Sequence, residues 1–449
     1  MKRLLAACLL ASCVPSQQEL RAPVRSRIDA ELRLPTVQRL GGPEFDVARA
    51  LQQPINADMA VAIAIANSPR LAASMDALGI AGGDLASALG LGPLDVTGAL
   101  RFGTGHEYEV DAVQNLLGLV AMPRRRAAAR AELRAVQADA IATALRLAAR
   151  VKIAFADLLA AQQEVELRQT AFDAADIAAT LRERMRAAGN TTDLAVARDR
   201  DAREQARIDL ARAEADVERA REKINALLGL TGDQTKWLAS GTLRELPAQA
   251  PALDDLQHVS VSASLDLMAA LARSKAAANR AGAERLSAFL PEFGLGVSAM
   301  DRDGDVEVGP AVRIGIPLFD QRSGARARAD AELQQRQHEL EATAVELRAE
   351  ARAARITALA AYAEARHLHD IVLPLRQQIV DETLLHYNAM DADPFQLIVA
   401  RRDLADAGHQ YLDALRRYSN AMAEVDALRA GVALGMPAVS PGGRDVDHP

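Results

Sequence analysis

The sequence predicts a mainly α chain with a β-barrel portion that crosses a membrane, built from two copies of helix, β-hairpin, long helix and shorter helix. Three observations predict it. Two very long stretches rich in Ala, Leu, Arg and Glu run almost free of proline and glycine. Ahead of each lies a passage of period-2 hydrophobic alternation. No window after the first residues holds the ~18 uninterrupted apolar residues of a membrane helix; the richest, Ile141 to Ala161, is broken by Arg146, Arg150 and Lys152. Any later membrane crossing must therefore be made of strands.

The elements follow in chain order. Lys2 and Arg3 precede a short apolar run, Leu4 to Leu10, and then Leu10-Ala11-Ser12-Cys13. This reads as a signal peptide over 1–12, and the last four residues resemble a bacterial lipobox with Cys13 as the lipidated residue. Val14 follows, where an Asp would mark inner-membrane retention, so the resemblance implies the outer membrane. The alternative is an ordinary secretory signal cut near Ser16. Cys8 and Cys13 are the only cysteines, so the body of the chain can form no disulfide and no cysteine metal site. Residues 13–53 read as an extended arm.

The first repeat spans 54–230. A helix is expected from Ala57 to Leu89. In the following passage, Pro93 to Met122, Leu94, Val96, Leu100 and Phe102 alternate with Asp95, Thr97, Ala99 and Arg101; the return strand is expected around Val113 to Ala121. From Pro123 to Ala188 no further proline and no glycine occurs. A helix of some 65 residues is near 100 Å long, far beyond what a compact domain uses. Ala188-Gly189-Asn190-Thr191-Thr192-Asp193 ends it, and a shorter helix returns from Leu194 to Leu228.

Thr231 to Leu253 is richer in Gly and Pro and reads as a linker. The second repeat, 254–433, starts with a helix from Asp254 to Ala288. Phe293 to Met300 alternates, Asp301-Arg302-Asp303-Gly304-Asp305 turns, and Val306, Val308, Val312, Ile314, Ile316 and Leu318 oppose Glu307, Gly309, Ala311, Arg313 and Gly315. Pro310 cannot donate to a ladder and is expected near a strand end or bulge. A long helix from Arg326 to about Met390, interrupted only by Pro374, ends at Met390-Asp391-Ala392-Asp393-Pro394; Phe395 to Leu434 returns. Residues 434–449 read as a tail.

Two hairpins give four strands, too few to close a barrel, and an open edge cannot face lipid. Oligomerisation is thus required, and three subunits would give twelve strands. A homotrimer would enclose a 12-stranded β-barrel continuous with a long α-helical barrel, with Asp95, Thr97, Arg101, Glu307 and Arg313 facing the lumen.

Several motifs in this order resemble the TolC family of outer-membrane efflux proteins. They are Asn67-Ser68-Pro69-Arg70-Leu71, Ala288-Phe289-Leu290-Pro291, Ile316-Pro317-Leu318-Phe319-Asp320, Leu227-Leu228-Gly229-Leu230, Arg184-Met185-Arg186-Ala187-Ala188-Gly189 and His386-Tyr387-Asn388-Ala389. The departures are Ser264-Leu265 in place of a proline, Ala121-Met122-Pro123 without Leu-Phe, and a second tip at Met390 without glycine. The resemblance implies a gated exit duct for drugs, metal ions or other small solutes. It also implies a periplasmic adaptor (membrane fusion) protein, an inner-membrane pump of the RND type and outer-membrane lipid as partners.

The tips would gate the duct and dock the adaptor: Gly189, Asn190, Thr191, Thr192, Asp193 and Leu194 in the first repeat, Asp391, Asp393, Pro394, Phe395, Gln396 and Leu397 in the second. Asp193, Asp391 and Asp393 could form cation-selecting rings; as helix caps they would need no pore role. Arg124, Arg125 and Arg126 follow the first hairpin, and Arg322, Arg326 and Arg328 the second. They could meet anionic headgroups, line the lumen or simply be solvated.

The net charge of −7 is spread out, with no basic patch suited to nucleic acid. No phosphate loop, nucleophile elbow, paired carboxylate or metal spacing stands out, so no catalytic residue, metal or cofactor is expected. The competing reading is a periplasmic lipoprotein scaffold or adaptor without channel activity. Adaptors carry one helical hairpin beside soluble β-rich domains; here two helical hairpins alternate with two β-hairpins.

Overall fold

The computed structural model describes residues 16–32, 46–90, 94–102, 106–289, 292–302, 305–315 and 323–435. The helices are α1 (Gln17–Leu32), α2 (Val47–Ala50), α3 (Ala57–Asn67), α4 (Pro69–Leu89), α5 (Leu117–Ala187), α6 (Asp193–Leu228), α7 (Leu256–Ala263), α8 (Leu265–Phe289), α9 (Ser323–His367), α10 (Leu373–Asn388) and α11 (Pro394–Arg429). The strands are β1 (Leu94–Phe102), β2 (His106–Asn115), β3 (Glu292–Arg302) and β4 (Asp305–Gly315). The order helix, hairpin, long helix, return helix occurs twice. Among the described residues no helix is long and apolar enough to cross a membrane.

The chain divides into two units. One holds residues 72–142 and 265–346 with the N-terminal stretch; the other holds 28–71, 143–264 and 347 onward. The first contains the sheet, an antiparallel meander in the order β1-β2-β3-β4. Beneath it the helices pack through small residues, Ala135 and Ala138 of α5 against Ala269 of α8. Small side chains let helix axes approach closely. Arg280 of α8 ties to Glu132 at 3.0 Å and Glu332 at 3.3 Å.

In the second unit Leu253, Leu256, Leu347, Tyr362, Tyr418, Val425 and Leu428 cluster in a buried core. The segment 231–253 packs closely here. Trp237 is buried, stacks on Phe155 with ring centroids 6.4 Å apart, and donates from Nε1 to Asn225 Oδ1 at 2.8 Å. Ile55 pairs with it through two backbone hydrogen bonds, to Leu238 and from Ser240.

Five expectations need correction. The return strand of the first hairpin is His106–Asn115, not Val113 to Ala121. Residues from Leu117 lack alternation and fold as the first turns of α5, with Pro123 inside the helix. The second turn is tighter than expected, since Asp301, Arg302 and Asp305 are strand residues. Pro310 sits mid-strand opposite Val297, in the outer strand β4 of the four-stranded sheet.

The helix before each hairpin is broken. Ser68 and Ser264 adopt nearly the same extended conformation, with ψ 118° at both. Proline follows Ser68 and disfavours helix there, yet Ser264 breaks without one. In both repeats a left-handed glycine ending the return helix lies against the carbonyl before the serine: Gly229 (φ 69°) on Asn67, Gly431 (φ 93°) on Ala263. Asn67 Nδ2 also donates to the carbonyls of Leu228 and Gly229 at 2.9 and 3.0 Å.

The arm is partly helical rather than extended. Ser16 and Glu19 form a capping box, with reciprocal bonds of 2.9 and 3.3 Å, and Leu20, Val24 and Ile28 are buried at helical spacing. Pro374 is accommodated by a π-turn over Leu368–Val372, where Leu373 N–H reaches back five residues to Leu368 O.

Candidate functional site

Two places carry the sequence-predicted site residues, the sheet and the helix-hairpin tips. Cys13 lies outside the described residues, as does Arg322.

The register sorts the sheet into two faces. Asp95 opposes Val113, Thr97 opposes Asp111, and Arg101 opposes Glu107, which in turn opposes Arg302. Glu307 opposes Met300 and Arg313 opposes Gly294. The five predicted lumen positions therefore share one register set, joined by Glu107, Glu109 and Asp111, which the misplaced return strand hid. Their signal was available in the alternation of Tyr108, Val110 and Ala112. Arg302 bonds Glu107 across the ladder at 3.1 Å. Arg313 Nη2 donates to Thr97 Oγ1 at 3.2 Å. That bond joins the two outer strands of the sheet, which would be about 14 Å apart if flat. The sheet therefore curls, and its polar face is the concave one.

The other face carries Leu94, Val96, Tyr108, Val110, Phe293, Leu295, Val297, Val306, Val308, Val312 and Ile314, all exposed, Val96 at 64% and Val308 at 68%. Fully burying such side chains is worth about 1.5–3 kcal/mol each, so water leaves on the order of 10 kcal/mol unrealised. An exposed apolar patch of this kind marks a contact surface for another protein or for a membrane.

At the first tip the chain leaves α5 through Gly189 (φ 79°). Gly189 N–H bonds Arg186 O at 2.9 Å and Asn190 N–H bonds Met185 O at 2.8 Å, satisfying the last carbonyls. Thr192 caps α6, its side chain accepting from Ala195 N–H. Asp193, the next residue, receives Arg186 through two hydrogen bonds of 2.5 and 3.0 Å. That guanidinium holds the Asp193 carboxyl below the ordinary carboxylate range. Leu194 is exposed beside it.

At the second tip Met390 takes the same left-handed conformation (φ 62°) as Gly189 and is almost fully exposed. Asp391 N–H bonds His386 O at 2.9 Å, and its side chain meets His386 Nδ1 at 3.0 Å. Asp393 caps α11 by accepting from Phe395 N–H at 2.9 Å, and Pro394 occupies a first-turn position that needs no N–H donor. Gln396 is exposed and Leu397 half-buried in the first turn. The three candidate acids thus differ: Asp393 caps a helix, Asp193 faces an arginine and Asp391 faces a histidine.

The two tips meet through Arg182, a residue the sequence did not single out. Its Nε donates to Asp199 Oδ2 at 2.6 Å, and its guanidinium carbon lies 3.1 Å from the Phe395 ring centroid. Phe395 lies more than 200 residues away in sequence, so no local pattern could mark the pair. Among the described residues no group of three His, Cys, Asp or Glu is arranged to hold a metal ion. His369 instead pairs with Asp370 at 2.8 Å and packs on Tyr411.

No protein-family model matches the chain. The cobalt-zinc-cadmium resistance protein CzcC of Cupriavidus metallidurans is 27% identical over 313 residues, 68% of this chain and 71% of that protein. The outer membrane protein VceC of Vibrio cholerae superposes with a TM-score of 0.69 at 18% identity, over 84% of this chain and 96% of that one. The outer membrane channel CmeC of Campylobacter jejuni gives 0.59 at 13% identity, over 94% and 90%. With its duplicated helix–hairpin–helix order and curled four-stranded sheet, the chain shares the fold of these solved outer-membrane proteins.

Proposed function

We propose that the chain is one subunit of the outer-membrane exit duct of a tripartite efflux system, a passive gated conduit for small solutes, drugs or metal ions. The observation that carries this is the sheet: one face a band of exposed Val, Leu and Ile, the other concave and charged, with two open edges at β1 and β4. Backbone groups on an open edge cannot be left in lipid. Three copies joined edge to edge would close twelve strands with the apolar band outward. Asp95, Thr97, Arg101, Glu307 and Arg313 would then line the lumen. An inner-membrane pump of the RND type would supply the energy, and an adaptor would dock at the tips around Gly189–Leu194 and Asp391–Leu397. Cys13 would carry the lipid anchor. The name of the CzcC relative makes cobalt, zinc and cadmium the first cations to test.

The test is purification from the outer-membrane fraction, a gel with and without boiling, and conductance in planar bilayers. The proposal expects a heat-labile trimer that conducts, with a larger conductance in the Asp391→Ala, Asp393→Ala variant. A water-soluble monomer with no conductance would overturn it.

A further inference from the structure

In both repeats the helix leaving the sheet starts with positive charge and no negative charge. Residues 117–131 contain Arg124, Arg125, Arg126 and Arg130, and the first acid is Glu132; residues 323–329 contain Arg326 and Arg328, and the first acid is Asp330. Both acids are already engaged, Glu132 by Arg280 at 3.0 Å and Asp330 by Arg285 at 2.7 Å. Arg124, Arg125 and Arg328 are exposed and have no acidic partner among the described residues. Arg124 is nevertheless held in place: it lies across α8 at Gly282, whose missing side chain leaves room for the guanidinium.

The level of these charges relative to the apolar band is the second observation. Leu119 and Val120, in the first turn of α5 just past the end of β2, are apolar and 41% and 51% exposed. Arg124 follows Leu119 by five residues, about 7.5 Å along a helix. A bilayer of 40–45 Å with a core of ~30 Å leaves about 5–7 Å of headgroup on each side. With Leu119 and Val120 at the edge of the hydrocarbon, the guanidinium groups reach the phosphates.

We propose that Arg124, Arg125 and Arg328 form a girdle that binds the phosphates of anionic phospholipid in the periplasm-facing leaflet, fixing the depth of the barrel in the membrane. The planar guanidinium fork suits phosphate, and each such residue near an anionic surface is worth about fivefold in partition. The proposal rests on the membrane reading of the sheet.

The experiment reconstitutes the purified full-length protein into vesicles of phosphatidylcholine and phosphatidylglycerol in equal parts. It then recovers the protein by flotation and measures the lipid retained by native mass spectrometry. Phosphatidylglycerol should be enriched several-fold over phosphatidylcholine on the wild type. The Arg124→Gln, Arg125→Gln, Arg328→Gln variant should return to the bulk ratio, and the corresponding lysine variant should keep part of the preference. Flotation of wild type and glutamine variant with equal lipid ratios overturns the girdle and leaves the membrane reading standing. Absence of flotation overturns the membrane reading and the girdle with it. Should the glutamine variant fail to fold by circular dichroism, the wild type decides alone: an enrichment unchanged by 0.5 M salt overturns the proposal, because exposed charge contacts are screened.

Discussion

Replacing Arg182 by alanine should loosen the two helical hairpins from each other at their tips. Arg182 makes two kinds of contact. The pair with Asp199 at 2.6 Å and the hydrogen bond donated to Thr191 Oγ1 at 3.5 Å stay within the first hairpin, whereas the cation–π contact with Phe395 crosses to the second. Only the second resists separation of the tips. The Arg182 side chain is 17% exposed, so the contact belongs in the upper part of the usual range, about 1–2 kcal/mol. At about 1.4 kcal/mol per decade, the opening equilibrium of each tip should rise roughly 5- to 30-fold. Hydrogen exchange followed by mass spectrometry reads this directly. Peptides covering the start of α11 should exchange faster by that factor in Arg182→Ala, and equally so in Phe395→Ala. The double variant should be no faster than either single one, since both remove the same contact. Asp199→Ala should leave the start of α11 less affected. Additive effects of Arg182→Ala and Phe395→Ala would refute the reasoning, as would unchanged exchange in both.

Three further outcomes are expected. Met390→Gly should slow exchange at the second tip by a few-fold, because a non-glycine residue in the left-handed region costs about 1–2 kcal/mol, part of which is offset by glycine's greater unfolded-state freedom; faster exchange would count against strain there. The Glu424 carboxyl is pushed above the ordinary range by burial and by Glu350 nearby. The folded state therefore holds that proton more tightly than the unfolded one, so stability falls as pH rises above the unfolded value of 4.5. Glu424→Gln should accordingly raise the unfolding temperature at pH 7 and change it little at pH 4; a gain confined to pH 4 would contradict the sign. Cys13→Ala should shift the protein out of the outer-membrane fraction on a sucrose gradient, and unchanged fractionation would argue against an anchor at that residue.

The order of elements was legible in the sequence because each rests on short-range rules. Period-2 alternation placed β1, β3 and β4, and proline- and glycine-free stretches placed α5 and α9. Gly189, Thr192 and Asp393 end or cap helices by local hydrogen bonds that any chain with those residues can make. The same rules were available for α1, in the Ser16–Glu19 capping box, and for β2, in Tyr108, Val110 and Ala112; both were open to a closer reading.

Other features could not be read locally. Gly431, distant in sequence, abuts the carbonyl of Ala263, next to the break at Ser264. Met390 adopts a glycine-like conformation that its side chain opposes. Arg182 finds Phe395, and Arg313 reaches Thr97, only once elements far apart in sequence lie side by side. Backbone propensity and hydrophobic period act over a few residues, so the sequence by itself determined which segments are helix and which are strand. The curl of the sheet, its concave polar face and the link between the tips are contacts between remote segments, and only packing in three dimensions decided them.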